Sequence, residues 1–238
     1  MTPLRLILLP GMDGTGDLLA PLVNALAPSM QVEVVRYPGH EALGYDDLHK
    51  LILARMTAAP FVLLGESFSG PLAISIAATQ PAGLRGVILS CTFAQNPRPA
   101  FSFASHLADN WVSRKIPPHM LTRLVSPFLL GRFASAQLRA SLEQALRQLS
   151  PQAMAKRAQE VLRVNMRDKL KLLRVPVMYL QATQDQVVPA SAAESLRQDL
   201  PAMEIVKIKG PHCLLQVSPA PAALAIQSFC SKVGSSLP

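Results

Sequence analysis

The sequence predicts an α/β fold, a mostly parallel sheet of about six strands flanked by helices and interrupted by a helical insertion. Three observations point there. Short apolar runs alternate with helix-length segments over the first ninety residues, as strand-helix-strand units joined by short links do. The alternation stops at Ala94 and resumes after Arg174. Half of the 238 residues are apolar and only 16% are charged, so a sizeable buried core is available.

Leu4–Leu9 (LRLILL) ends at Pro10-Gly11 and reads as a strand buried on both faces. The Met1–Pro10 run is too short to span a membrane and lacks a cleavage-site pattern, so neither a transmembrane segment nor an export signal is expected. Asp17–Ala27 follows as a helix and Val32–Arg36 as a strand. Asp46 is the expected cap of a helix carrying Leu48, Leu51, Ile52 and Arg55. Phe61–Leu64 (FVLL) is the next strand, Pro71–Gln80 a helix with proline at its start, and Gly86–Ser90 a further strand. After the interruption, Pro176–Gln181 and Met203–Ile208 read as strands, and Ser191–Leu200 and Pro219–Val233 as helices.

Residues 94–174 hold helix-like stretches punctuated by prolines. Ser135–Leu149 carries Leu138, Leu142, Ala145, Leu146 and Leu149 at helical spacing. The expected organisation is a core of residues 1–93 and 175–238 with a cap of residues 94–174. That insertion carries 14 Lys/Arg against 4 Asp/Glu, a net +10, whereas the remainder has 9 basic and 11 acidic residues. Such a field suits an acidic partner, an anionic surface or a charged substrate, or else a set of solvated helix faces. Cys91, Cys213 and Cys230 are far apart and odd in number, which argues against a disulfide framework or a zinc site. No metal or cofactor is expected, and the expected compartment is a reducing cytoplasm.

The chemistry centres on Phe61–Gly70 (FVLLGESFSG). A serine among small residues where a strand turns into a helix is what a nucleophile elbow requires, and Ser67 stands there. Ser69 replaces the last glycine of the GxSxG pattern, a change expected to add tolerable strain. A serine hydroxyl needs a base, and the base an orienting group. On such a turn both follow the serine in chain order, each on a loop after a later strand. Asp185 in ATQDQVVP and His212 in KGPHCLLQ fit those places; His40, His49, His106 and His119 fit less well. The developing oxyanion needs two backbone N–H groups. Phe68, after the nucleophile, and Met12, in the glycine-rich loop after the first strand, are the expected donors, with Gly11 letting the backbone approach the substrate.

With these residues the chain resembles the α/β-hydrolase superfamily. The LPGMDGTG loop and GES elbow are similar to its esterase/lipase/thioesterase branch. The resemblance implies a sheet that lacks the first strands of the eight-stranded family fold, and a lid where the insertion lies. Many members have His-Gly where this chain has Pro10-Gly11. The cap resembles that of pimeloyl-carrier-protein methyl esterases, in which a positive cap receives an acidic carrier protein. Cleavage of a small-molecule carboxylic ester through an acyl-enzyme is the implied reaction, with thioester hydrolysis and acyl transfer open to the same residues. Phe101, Phe103, Trp111, Met120, Phe128 and Phe133 are candidate linings for an apolar acyl pocket, or packing residues of the cap.

Two other classes fit less well. The glycines after the first strand are spaced GxxGxG rather than GxGxxG, and Arg36, not an acid, ends the second strand, against dinucleotide binding. A non-catalytic binding protein on the same fold would have no need of the three catalytic residue types. No HExxH, phosphate-loop or nucleic-acid module is present, and basic charge alone does not indicate nucleic acid.

Overall fold

A computed structural model describes residues 4–27, 29–99 and 117–235. Six strands form one parallel sheet: β1 (Arg5–Leu9), β2 (Gln31–Val34), β3 (Phe61–Glu66), β4 (Leu84–Ser90), β5 (Val177–Ala182) and β6 (Glu204–Ile208), in the order β2-β1-β3-β4-β5-β6. The apolar runs are continuous because both faces are covered. Leu6, Leu8, Val62, Leu64 and Ile88 meet one helical layer, which includes α1 (Ala20–Leu26), the short α9 (Leu214–Val217) and α10 (Pro219–Ser235). Ile7, Leu9, Phe61, Leu63 and Leu89 meet the other, which includes α2 (Tyr45–Leu53), α3 (Ser69–Ala78) and α8 (Ala190–Asp199).

The chain leaves β1 for β2 on one side, then returns to place β3 on the other. This reversal opens a crevice between the carboxyl ends of β1 and β3, where parallel sheets of this kind hold their ligands. The loop after β1 and the turn after β3 border that crevice.

Between β4 and β5 the described residues form helices α4 (Pro118–Leu130), α5 (Ala136–Arg147), α6 (Pro151–Arg163) and the short α7 (Arg167–Leu170), as the loss of strand patterning implies. Serines cap two of them: Ser135 accepts from the Leu138 N–H and Ser150 from the Ala153 N–H.

Several boundaries differ from the expectation. Asp46 does not cap α2; Gly44 occupies that position, and the Asp47 carboxylate accepts from its N–H at 3.1 Å. The stretch from Asp17 begins as a 3-10 turn over Asp17–Leu19, and α1 starts only at Ala20, with Pro21 in its first turn. Helix α3 starts at Ser69, two residues before Pro71, because the turn at Ser67 enters the helix without a linker.

The glycines of the elbow serve close approach. A Cβ on Gly65 would lie 2.5 Å from the Ser69 carbonyl oxygen and 2.8 Å from Ala73 Cβ, so β3 and α3 meet with no room for a side chain. Gly65→Ala is therefore expected to cost about 1–3 kcal/mol of stability, to be read as a lower denaturation midpoint with an unchanged slope.

Candidate active site

All strands run the same way, so the loops after β1, β3, β5 and β6 gather at one sheet edge. Ser67 occupies the turn after β3 with φ 48°, in the left-handed region. The turn is held from both sides. The Ser67 N–H donates to Ser90 O at 2.9 Å, and its carbonyl accepts from the Gly70 N–H at 3.1 Å and from the Thr92 hydroxyl.

The loops after β5 and β6 are joined to each other. Thr183 N–H donates to Ile208 O and Gln184 N–H to Gly210 O, both at 2.9 Å. This brings Asp185 and His212 together, their side chains 7% and 6% exposed. His212 Nδ1 lies 2.9 Å from Asp185 Oδ2, and His212 Nε2 lies 2.8 Å from Ser67 Oγ. A carboxylate only accepts, so Nδ1 carries the proton and, in the neutral ring, Nε2 is left to accept from the serine hydroxyl. The other Asp185 oxygen accepts from the N–H groups of Val187 (2.8 Å) and Val188 (2.9 Å), which fixes the carboxylate plane. The three residues singled out from the sequence thus stand in one hydrogen-bonded line.

Phe68 directly follows Ser67 at the start of α3, and Met12, in the loop after β1, lines the same cavity as the serine. Among the described residues, neither N–H is bonded to another group of the chain. Ser69 begins α3 and is not among the residues of positive φ, so its backbone carries none of the strain expected of it. Like Gly65, Gly70 has no room for a side chain: a Cβ there would lie 2.0 Å from Thr92 Oγ1. The Ser69 hydroxyl instead donates to the Pro10 carbonyl of the loop after β1.

The serine opens into a cavity of about 350 Å³ between the sheet edge and α4–α6. Its floor holds Gly11, Met12, Asp13, Glu66, His212 and Gln216, and its apolar walls include Leu121, Val125, Leu142 and Leu146. Of the expected lining residues Gly11 and Phe128 are there. Met120 is not: it lies on another face of α4, because the cavity side follows the 121-125-128-129 spacing. Phe133 is not in the lining either; its ring lies under the Arg132 guanidinium at 5.3 Å. Phe101, Phe103 and Trp111 fall outside the described residues. The leucines of α5 were legible as a helical stripe, but which side of that stripe faces a cavity is a tertiary fact.

The sequence reading missed Glu66 and Gln216. Glu66 is buried next to Ser67 and accepts from Gln216 Nε2 at 2.9 Å. Burial raises its carboxyl to about 7, with Asp13 adding to the rise and Gln216, His212 and the Gly11 N–H opposing it. Its signal was its position next to Ser67, which alone does not announce burial. Among the described residues, two acids and no Lys or Arg line the cavity. Among the described residues no group of three or more His, Cys, Asp or Glu could hold a metal, and no helix is long and apolar enough to cross a membrane.

A family model described as the α/β hydrolase fold matches residues 44–219. The chain belongs to this family. It is 30% identical to a pimeloyl-[acyl-carrier protein] methyl ester esterase of Xanthomonas oryzae pv. oryzae, with 86% of each chain covered. It is 29% identical to a protein of the same name from Vibrio campbellii, covering 96% of this chain and 92% of that one. Among solved structures, an enol-lactonase from Burkholderia xenovorans LB400 shares the fold with a TM-score of 0.83 at 16% identity, covering 97% of this chain and 92% of the other. A thermophilic esterase from Thermogutta terrifontis superposes with a TM-score of 0.81 at 21% identity, over 98% and 90%.

Because the folded chain holds the Glu66 proton more tightly than the unfolded one, this group makes stability fall as pH rises from about 4.5 to about 7. The full effect is on the order of 3 kcal/mol for a carboxyl moved from 4.5 to about 7. Glu66→Gln is expected to raise the melting temperature relative to wild type more at pH 8 than at pH 5, by thermal denaturation at both.

Proposed function

We propose that the protein is a serine carboxylic ester hydrolase whose nucleophile is Ser67, base His212 and orienting acid Asp185. The observation that carries this reading is the line Ser67–His212–Asp185, with contacts of 2.8 and 2.9 Å, at the floor of a largely apolar cavity. His212 Nε2 takes the proton as Ser67 Oγ attacks the ester carbonyl. The resulting oxyanion is held by the Met12 and Phe68 N–H groups. Asp185 stabilises the imidazolium, which returns the proton to the departing alkoxide and releases an alcohol. Water deprotonated by His212 then attacks the acyl-enzyme, and a carboxylic acid leaves.

Residues 94–174 act in this account as a cap that supplies the acyl walls. A narrower reading has a specific basis: the curated relatives named above are pimeloyl-[acyl-carrier protein] methyl ester esterases. Their name, together with the net +10 of the insertion, supports a carrier-protein-linked methyl ester as substrate, docked by its acidic carrier on the basic cap.

Ser67→Ala is expected to lower hydrolysis of p-nitrophenyl esters by roughly 10⁴-fold or more without changing the melting temperature greatly. Retained activity in that variant would contradict the assignment. For the narrower reading, raising salt should slow hydrolysis of a carrier-linked methyl ester severalfold while leaving a small neutral ester unchanged. Equal salt response of both substrates would contradict docking on the cap.

A further inference from the structure

We infer that Ser69, Tyr37 and Arg157 are positioning residues that bracket the Gly11–Met12 peptide and so hold the Met12 N–H in place for the oxyanion. The inference rests on the reading of Ser67 as nucleophile and Met12 as oxyanion donor. The loop that carries Met12 is rich in glycine, and Gly14 and Gly16 have φ of 71° and 75°. Such backbone keeps a donor aimed only if other groups hold it.

On the upstream side, the Ser69 hydroxyl donates to the Pro10 carbonyl. Its single proton is spent there, so the Tyr37 hydroxyl, 2.7 Å away, donates to Ser69 Oγ. On the downstream side, Arg157 reaches in from α6. Its Nη1 donates to Met12 O at 2.9 Å and Asp13 O at 3.0 Å, and its Nη2 donates to Pro38 O at 2.9 Å. The carbonyls on either side of the Gly11–Met12 unit are thus both fixed. The halves are linked, because the guanidinium lies over the Tyr37 ring at 5.6 Å.

Arg157 is fully buried, and among the described residues no carboxylate lies within ion-pairing distance of it. An unpaired buried cation is costly, and a neutral side chain would serve for packing alone. A guanidinium offers several donors in a rigid fork, which is what three carbonyls of two loops require. Gly14 accommodates it: a Cβ there would lie 2.5 Å from Nη1. The use of a serine at position 69 also follows, since glycine would leave Pro10 O without this donor.

The test compares wild type, Ser67→Ala, Ser69→Ala, Tyr37→Phe and Arg157→Met, with melting temperature recorded for each. The readouts are kcat and KM on a p-nitrophenyl ester, and inhibition by an alkyl trifluoromethyl ketone, whose adduct with serine places an oxyanion in the hole. Wild type should hydrolyse the ester and bind the ketone, and Ser67→Ala should do neither. Folded Ser69→Ala and Tyr37→Phe should lose roughly 10- to 100-fold in kcat with KM within about threefold, and ketone affinity should fall in proportion. Arg157→Met should show the same split if it folds; the two milder variants decide the matter if it does not. Variants with lowered stability but kcat within about twofold of wild type, or with KM alone raised, would overturn the inference and leave Ser67 untouched. A wild type that neither hydrolyses esters nor binds the ketone would overturn the underlying reading, and this inference with it.

Discussion

The constraint on which the site depends is the left-handed backbone at Ser67. A serine in this region is strained by about 1–3 kcal/mol, and the surrounding structure over-determines it. The residue sits between a fully buried strand and a helix that begins two residues later. Its N–H is tied to β4, and its carbonyl to Thr92 and Gly70. Thr92 is itself held through the Tyr179 hydroxyl, which accepts from its N–H at 3.0 Å and donates to its carbonyl at 2.8 Å. Released from these bonds, the turn would relax and draw the hydroxyl away from His212. The strain and the alignment are therefore one feature of the structure.

The segment between β4 and β5 does more than roof the cavity. At its start, Arg98 Nε donates to Val187 O in the Asp185 loop at 2.8 Å. At the end of α4, Leu129 O accepts from the Cys213 N–H, beside His212, at 3.0 Å. In α6, Arg157 grips the loop after β1. Three of the loops that form the site are thus each tied to the helical segment by hydrogen bonds to their own backbone. A rearrangement of that segment would be felt at Asp185, His212 and the loop after β1 together.

The sheet and the three side chains that meet in one line were legible in the sequence because they rest on local signals. Continuous apolar runs ended by Pro-Gly, a serine among small residues, and acid and histidine on loops after later strands need no long-range knowledge. What escaped depended on packing between distant segments. Arg157 reads as one more basic residue in a basic helix until its neighbours are known. Met120 and Phe128 are both large, exposed apolar residues of α4, and only the helix rotation brings Phe128 to the rim of the cavity and not Met120. Ser69 looked like a departure from a pattern because the residue pressed against Thr92 is one place further on. The capping of α2 by Gly44 and Asp47 was hidden behind a better-looking candidate, Asp46.

Covalent capture tests the central claim most directly. The intact protein is treated with a fluorophosphonate and digested, and the adduct is located by peptide mass mapping. The account predicts one adduct per chain, on Ser67, with the His212→Ala protein reacting far more slowly. Absence of an adduct in folded protein, or modification of a different serine, would contradict it.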